Sequence, residues 1–361
     1  MLKTIPVQLK ENSYEIKIGH GCFKEILKYL NPLKLGNYGI VIVSSKVYDL
    51  YKNLIKNTFK AKDFKIIKVI NGEKLKSRKW LFHVINEILK TDTWGRKIFI
   101  LCLGGGTVGD LGGFVASMYK RGVPYLHIPT TLLAQIDASI GGKTAIDLNE
   151  AKNILGSFYQ PKTVIIDPNF LTTLSKKELK QGIAEAIKYG LIIDEDFFYF
   201  LKKNHKQIED LDPASISKLI HTCASIKAKI VEKDEKEIKG LRTILNFGHT
   251  LGHALESSLK YQKISHGEAI AIGMIFATKL SYFLGKCDKN VVNEVIEMIK
   301  LFKIPTKINF DYISLYKSLT YDKKFVSGKI RMVLIKKIGE VEVVEGISPE
   351  KIKKILKTFS I

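Results

Sequence analysis

The sequence predicts two domains: an N-terminal α/β domain with an open, mostly parallel sheet over residues 1–173, and a mainly α-helical domain over residues 174–361. Three observations carry this. Short apolar, β-branched runs alternate with helix-length segments through the first half, the texture of parallel strands buried on both faces. Near Thr172 that alternation gives way to helical periodicity. One strand pair stands apart near the end, in MVLIKKIGEVEVVEGI, with Gly339 at its turn.

In chain order, the strand candidates are Ile40–Val43, Ile66–Ile70, Ile98–Leu103, Tyr125–Ile128 and Val164–Ile166. In an open sheet of this kind the ligand crevice lies at the carboxyl ends of the strands. Ser175 and Glu178 stand three residues apart, a capping-box spacing that predicts the start of a helix through GIAEAIKYG. A cleft between a sheet domain and a helical domain is a common place for an active site.

The 361 residues are 45% hydrophobic and 26% charged, a globular composition with enough apolar side chains for a normal core. Of 58 basic residues only five are arginine: Arg78, Arg96, Arg121, Arg242 and Arg331. The net charge of +22 is therefore a lysine charge spread along the chain. A base-reading surface leans on arginine, so no nucleic-acid partner is expected. Cys22, Cys102, Cys223 and Cys287 form no Cys-x-x-Cys pair, which fits reduced thiols in a cytoplasm. There is no apolar leader segment and no apolar run of about 18 residues, so no membrane partner is expected.

The run Ile98–Leu103 leads into GGGTVGDLGG, where Gly104, Gly106 and Gly109 satisfy G-x-G-x-x-G in a strand-turn-helix context. Such a turn lets backbone approach a pyrophosphate at a helix N-terminus. The usual acidic partner about 20 residues on is absent, so a glycine-packed turn remains the alternative. Asn71-Gly72-Glu73-Lys74-Leu75-Lys76 follows another strand and, taken by itself, has the composition of a solvated turn.

His249 and His253 lie four apart in GHTLGH and share a helix face if that segment is helical. Thr250 stands where a zinc protease would carry its glutamate, which argues against that class. His266 opens an apolar helix, and Glu185 precedes Lys188 by three in another. One carboxylate with two imidazoles suits a catalytic metal; buried, hydrogen-bonded histidines are the alternative. Between the domains, Arg121, Thr130, Thr131, Asp137, Lys143, Lys152 and Asn153 crowd into an otherwise apolar stretch, with glycines around Lys143. Fixed cations at such places, including Arg121 and Arg242, point to a carboxylate- or phosphate-bearing substrate.

In this order, GGGTVGDLGGF, KRGVPYLHIPTTLLAQIDASIGGKTAID, AKNILGSFYQP, AEAIKYG, GLRTILNFGHTLGHALE and HGEAIAIGM resemble the 3-dehydroquinate synthase family, from about Asn71 to Asp322–Lys324. The resemblance implies a dehydroquinate synthase-like fold and a cytoplasmic homodimer. It implies conversion of 3-deoxy-D-arabino-heptulosonate 7-phosphate to 3-dehydroquinate and phosphate, with NAD and one zinc or cobalt ion per chain. It makes Glu185, His249 and His266 the metal ligands. For NAD it implies Asn71, Gly72, Glu73, Lys74, Leu75 and Lys76, then Gly105, Gly106, Thr107, Val108, Gly109 and Asp110. Thr130, Thr131, Lys143, Lys152, Phe170, Leu171, Thr172 and Thr173 complete that set. For substrate and catalysis it implies Arg121, Asp137, Lys143, Asn153, Lys188, Lys227, Arg242, Asn246 and a lysine of the Asp322–Lys324 motif, taken as Lys324. Glu237 and His253 would form the proton-transfer pair.

Two stretches depart from the family pattern. Ile238-Lys239 separates Glu237 from Gly240, where the family commonly has one residue. Ser44-Ser45 follows Ile40–Val43, where many members carry an Asp for the adenosine ribose. The rival readings are a related sugar-phosphate cyclase and a metal-dependent polyol dehydrogenase on the same fold.

Overall fold

The computed structural model describes residues 2–60, 62–148, 151–259, 263–321, 325–326, 329–357 and 359. The chain forms two compact units: Met1–Ser175 with Ile216–Lys236, and Lys176–Ser215 with Glu237–Ile361. Most of the helix Pro213–Lys233 therefore belongs to the first unit.

The first unit is built on a seven-stranded sheet. Its strands are β1 (Lys3–Val7), β2 (Tyr14–Ile18), β3 (Tyr38–Ser44), β4 (Phe64–Val69), β5 (Ile98–Gly104), β6 (Tyr125–Pro129) and, beyond the hairpin β7 (Lys143–Leu148) and β8 (Ala151–Phe158), β9 (Thr163–Ile166). The spatial order is β1-β2-β9-β6-β5-β3-β4. Only β1 and β2 pair antiparallel; the other neighbours run parallel. The five predicted runs thus form the parallel body. The sequence reading did not include β1, β2 or the hairpin.

Every residue of β3, β5, β6 and β9 is buried. Alternate side chains feed two cores. Ile40, Ile42, Ile100 and Cys102 pack with the helices Arg78–Leu89 and Gly106–Met118. Val41, Val43, Leu101 and Leu103 pack with the helix Ser45–Thr58. Each such aliphatic side chain contributes about 1.5–3 kcal/mol of transfer free energy. The chain runs from β3 out to β4 on one side, and β5, β6 and β9 lie on the other. The direction switches between β3 and β5, so the crevice expected of an open sheet lies at Ser44 and Gly104.

The second unit is mainly helical. It includes the helices Lys176–Ile192, Glu195–Lys203, His249–Ser258, His266–Phe283 and Lys289–Leu301. The first starts directly after Ser175, where the capping spacing places it. An antiparallel sheet of β10 (Phe325–Val326), β11 (Lys329–Lys337) and β12 (Glu340–Ile347) completes it, and Gly339 turns β11 into β12 at φ +83°. His266–Phe283 is buried on nearly every side, as its apolar composition requires. Among the described residues no helix is long and apolar enough to cross a membrane.

Candidate functional site

The second unit brings Glu185, His249 and His266 together, with one potential ligand atom from each all within 4.8 Å of one another. Three helices deliver them. Glu185 sits in the middle of Lys176–Ile192, with its side chain 1% exposed. His249 is the first residue of its helix, after Gly248 in a left-handed conformation at φ +79°. His266 is likewise first in its helix, and a capping box fixes that start: Glu268 accepts from the Ser265 amide at 2.8 Å and from its hydroxyl at 2.7 Å.

Glycines let the two histidine helices approach. A Cβ on Gly273 would lie 1.9 Å from the Gly248 carbonyl oxygen, and one on Gly252 would lie 2.7 Å from Ile270 Cδ1. A Cβ on Gly267 would meet the Gln181 Cα at 2.4 Å, so the helix bearing Glu185 is held equally close.

Glu185 Oε1 is 3.5 Å from Nε2 of both His249 and His266, while the Lys188 ammonium, one turn along, pairs with Oε2. Neither oxygen completes a hydrogen bond of normal geometry among the described residues. Burial alone would raise the Glu185 pKa, but Lys188 and the two imidazoles hold it well below the carboxylate range. Burial, reinforced by Lys188, keeps His249 neutral at neutral pH. Burial works against charge on His266 too, yet Glu185 and Glu256 raise its pKa to about 10. An ionised carboxylate and two imidazoles whose Nε2 atoms face it are the donor set of a divalent cation such as zinc, which on binding would take the place of the extra His266 proton. The unfinished hydrogen bonding of Glu185 is what such a cation would complete, so these residues fit a metal.

His253 lies beside this cluster, with ring centroids 5.3 Å from His249 and 6.3 Å from His266. In the same unit Arg242 is 3% exposed and pairs with Glu237, Nε to Oε1 at 3.2 Å. Asn246 ends the short helix Leu241–Asn246. Glu237, which precedes the Ile238-Lys239 spacer, has a φ of +56°, a conformation uncommon outside glycine. Lys324 lies outside the described residues.

In the first unit, the predicted cofactor residues Asn71–Lys76 follow the carboxyl end of β4, beside that of β3, and Gly105–Asp110 follow that of β5. Thr130 and Thr131 follow β6, Phe170–Thr173 follow β9, and Lys143 and Lys152 lie on the hairpin. Asn71 Nδ2 donates to Ser45 Oγ at 3.0 Å, and its Oδ1 accepts from the Lys46 amide at 3.2 Å, tying two of these ends together. Gly105 is the N-cap of Gly106–Met118. The glycines here do two jobs. A Cβ on Gly109 would lie 2.7 Å from the His127 ring, and one on Gly112 2.3 Å from Cys102 Sγ, so these two seat the helix on the sheet. Gly105 and Gly106 meet their nearest atoms, Thr131 Cγ2 and Ala138 Cβ, at 3.2 and 3.1 Å; they form the turn itself. The packing reading of this motif holds at Gly109 and Gly112, while Gly105 and Gly106 are left to the turn at the helix N-terminus.

The Asn71–Lys76 turn is not simply solvated. Lys76 is 4% exposed, with its ammonium 2.8 Å from Asp110, 3.6 Å from Glu73 and 3.9 Å from Asp147, and it also donates to Asn153. Burial alone would lower its pKa; these carboxylates raise it. Lys152 lies 3.8 Å from Glu73. Asn153 is held at φ +53°, with its amide donating to Asp147 at 2.8 Å. Lys143 opens β7 after Gly141 and Gly142, both at positive φ. Asp137 lies on a one-turn π-helix, Ala134–Ala138, a form often found at functional sites. Its side chain and its backbone carbonyl both accept from Lys227 at 2.7 Å. Arg121 is exposed and held at φ +65°. Thr130 is buried, and Thr131 caps the following turn by accepting from the Ala134 amide at 3.2 Å.

Four predicted cofactor residues turn their side chains into the core: Leu75, Val108, Phe170 and Leu171 are at most 4% exposed. They can offer a ligand only backbone. Thr173 hydrogen-bonds Tyr51 at 2.9 Å. One residue was missed by the sequence reading. Glu256, 6% exposed, faces His266 Nδ1 from 3.4 Å. Its place seven residues after His249, on the same helix face, was the available signal.

The family model described as 3-dehydroquinate synthase N-terminal matches residues 66–181, and that described as 3-dehydroquinate synthase C-terminal matches residues 182–325. A 3-dehydroquinate synthase of Dictyoglomus thermophilum is 43% identical over 356 residues, covering 99% of this chain and 98% of its own. One of Thermodesulfovibrio yellowstonii is 40% identical over 363 residues, covering 98% and 99%. Among solved structures, the 2-epi-5-epi-valiolone synthase of Streptomyces hygroscopicus, with NAD+ and Zn2+ bound, superposes with a TM-score of 0.87 at 25% identity over 98% of each chain.

Proposed function

The chain belongs to the 3-dehydroquinate synthase family, and from that premise we propose how its residues carry out the reaction. It converts 3-deoxy-D-arabino-heptulosonate 7-phosphate to 3-dehydroquinate and phosphate. The chemistry explains the donor sets. Phosphate leaves poorly from the starting sugar because the neighbouring C–H is not acidic; a ketone at the adjacent carbon makes it so. After elimination the ketone is reduced, the ring opens, and an intramolecular aldol addition closes the carbocycle.

The observation that carries the assignment is the Glu185, His249 and His266 cluster with the Lys188 ammonium against it. In our reading these three residues hold zinc or cobalt, which supplies Lewis-acid activation of the substrate hydroxyl. NAD, when bound, would supply reversible hydride chemistry for the transient oxidation, with no net consumption of the cofactor. Residues 1–173 would hold NAD: the Gly105 and Gly106 amides, at a helix N-terminus, would serve its pyrophosphate, and Asn71, Glu73, Lys76, Asp110, Thr130, Thr131 and Lys152 would supply the remaining contacts. Lys143, Lys188, Lys227, Arg121, Arg242, Asn153 and Asn246 hold the substrate carboxylate, phosphate and hydroxyls, with Asp137 orienting Lys227. Such orientation is worth roughly 7–11 kcal/mol in favourable cases. His253 moves a proton at its imidazole, with Glu237 as its partner in proton transfer. The proposal extends to a homodimer in the cytoplasm, on the family resemblance.

The test is phosphate release from the heptulosonate phosphate, with NAD+ and zinc added, while NADH absorbance is followed. Phosphate should appear with NADH absorbance flat in the steady state. Lasting, stoichiometric NADH would instead make the protein a polyol dehydrogenase.

A further inference from the structure

Glu256 is a buried carboxylate with no part in the assignments above. It lies on the helix His249–Ser258, seven residues after His249 and three after His253, so all three share one face. Burying a carboxylate is costly unless it serves a specific partner. Here the partner is His266: Glu256 Oε2 is 3.4 Å from its Nδ1, and its Nε2 is 3.5 Å from Glu185. His249 has the same arrangement with a different acceptor. Its Nδ1 meets the Phe247 carbonyl at 3.1 Å, and its Nε2 also faces Glu185 at 3.5 Å.

A backbone carbonyl can only accept, and so can an ionised carboxylate. Each therefore favours a proton on Nδ1 and leaves the Nε2 lone pair for a cation. For His249 the acceptor comes with the backbone. His266 is the first residue of its helix, and its ring relies on a side chain from the neighbouring helix.

We propose that Glu256 is a positioning residue of the metal centre: it orients the His266 ring, keeps the proton on Nδ1 so that Nε2 ligates, and adds a negative charge that makes the imidazole a stronger donor. The proposal rests on reading Glu185, His249 and His266 as metal ligands. Carboxylates in this outer position typically affect metal affinity by about 10–100-fold.

The experiment measures zinc affinity by competition with a chelator, and the visible spectrum of the cobalt-substituted protein, for wild type, Glu256→Gln, Glu256→Ala and His249→Ala. Glu256→Ala should bind zinc about 10–100-fold more weakly. Glu256→Gln keeps an acceptor oxygen but loses the charge, and should weaken binding less, by more than about threefold. The cobalt bands should shift in both, because the donor strength of His266 changes; a residue that only filled space would not move them in the near-isosteric Gln variant. Should Glu256→Ala fail to fold, Glu256→Gln carries the test alone. If Glu256→Gln matches wild type within twofold and its cobalt spectrum superimposes, while His249→Ala loses zinc, the role of Glu256 is overturned and the metal reading stands. If His249→Ala binds zinc as wild type does, the metal reading falls and this inference with it.

Discussion

Lys188 and Glu185 form an ion pair one helical turn apart, with their side chains 2% and 1% exposed. Neither charge is sustained without the other or a substitute. Glu185→Gln should remove the metal and leave the ammonium without a counter-charge, costing the zinc-free protein about 3–5 kcal/mol, as breaking buried pairs does. Lys188→Met should behave differently. The carboxylate keeps two imidazoles and the cation, so metal content should stay near one per chain while phosphate release collapses. Urea denaturation and elemental analysis of both variants check the contrast.

Gly273 sets the spacing of the two histidine helices. A Cβ there would lie 1.9 Å from the Gly248 carbonyl oxygen, an atom of the residue just before His249. Gly273→Ala should cost about 1–3 kcal/mol, the usual price of overpacking, and should also weaken zinc binding by displacing His249. A lowered melting temperature with zinc affinity unchanged would show that the ligand tolerates the shift.

How much of this was legible in the sequence depends on which forces fix each part. The strands β3, β5, β6 and β9 are buried on both faces, so they read directly as apolar runs. β2 was passed over although it carries the signal: in YEIKI, Tyr14, Ile16 and Ile18 are buried and Glu15 and Lys17 are not, the alternation of a strand with one face in a core, whereas β1 shows it only in its last residues. The hairpin β7–β8 exposes Ile154, Leu155 and Phe158, so it lacks the alternation that marks a strand with one face in a core. A candidate metal set was legible because histidines are few and glycine-flanked, but the choice of Glu185, His249 and His266 over His253 came from the family resemblance, since spacing does not distinguish them. Glu256 was not legible, and Lys76 was named only through the resemblance, since a lysine in a turn and a glutamate on a helix are usually solvated; only the tertiary fold puts carboxylates around one and an imidazole against the other.

His127 lies in β6, buried, with its pKa lowered to about 4 by desolvation. An unfolded histidine titrates near 6.5. Between those values the unfolded chain binds the extra proton, so this contribution is fully present above about pH 6.5 and is lost as pH falls towards 4. The loss is roughly 3 kcal/mol at about 1.4 kcal/mol per pH unit. His127→Leu should flatten the pH dependence of stability across that window, measured by denaturant midpoints. An unchanged slope would mean that other groups dominate.

Lys143 leads β7 directly after two glycines at φ +103° and +67°. That backbone can bring the ammonium close to an anion. Lys143→Ala should lower phosphate release by orders of magnitude with the fold intact. Activity within about twofold of wild type, less than about 0.5 kcal/mol of transition-state binding, would remove Lys143 from the site.

The last prediction separates ligand from neighbour among the histidines. His253 sits 5.3 Å from His249 and 6.3 Å from His266, ring to ring, close enough to be mistaken for a ligand. The three donors that converge are Glu185, His249 and His266, and a catalytic site of three protein ligands has no spare. His266→Ala should therefore lose both zinc and activity. His253→Ala should keep close to one metal per chain and lose turnover by about 10²–10⁴-fold, the scale of a missing proton-transfer group. Elemental analysis of the dialysed variants beside their phosphate-release rates decides it. Zinc lost from His253→Ala and kept by His266→Ala would invert the assignment. Zinc kept by both would require a further ligand. The structure favours His266 because its ring joins the cluster from a third helix, so the cation would tie three helices together, whereas His253 would only add another donor from the helix that already supplies His249.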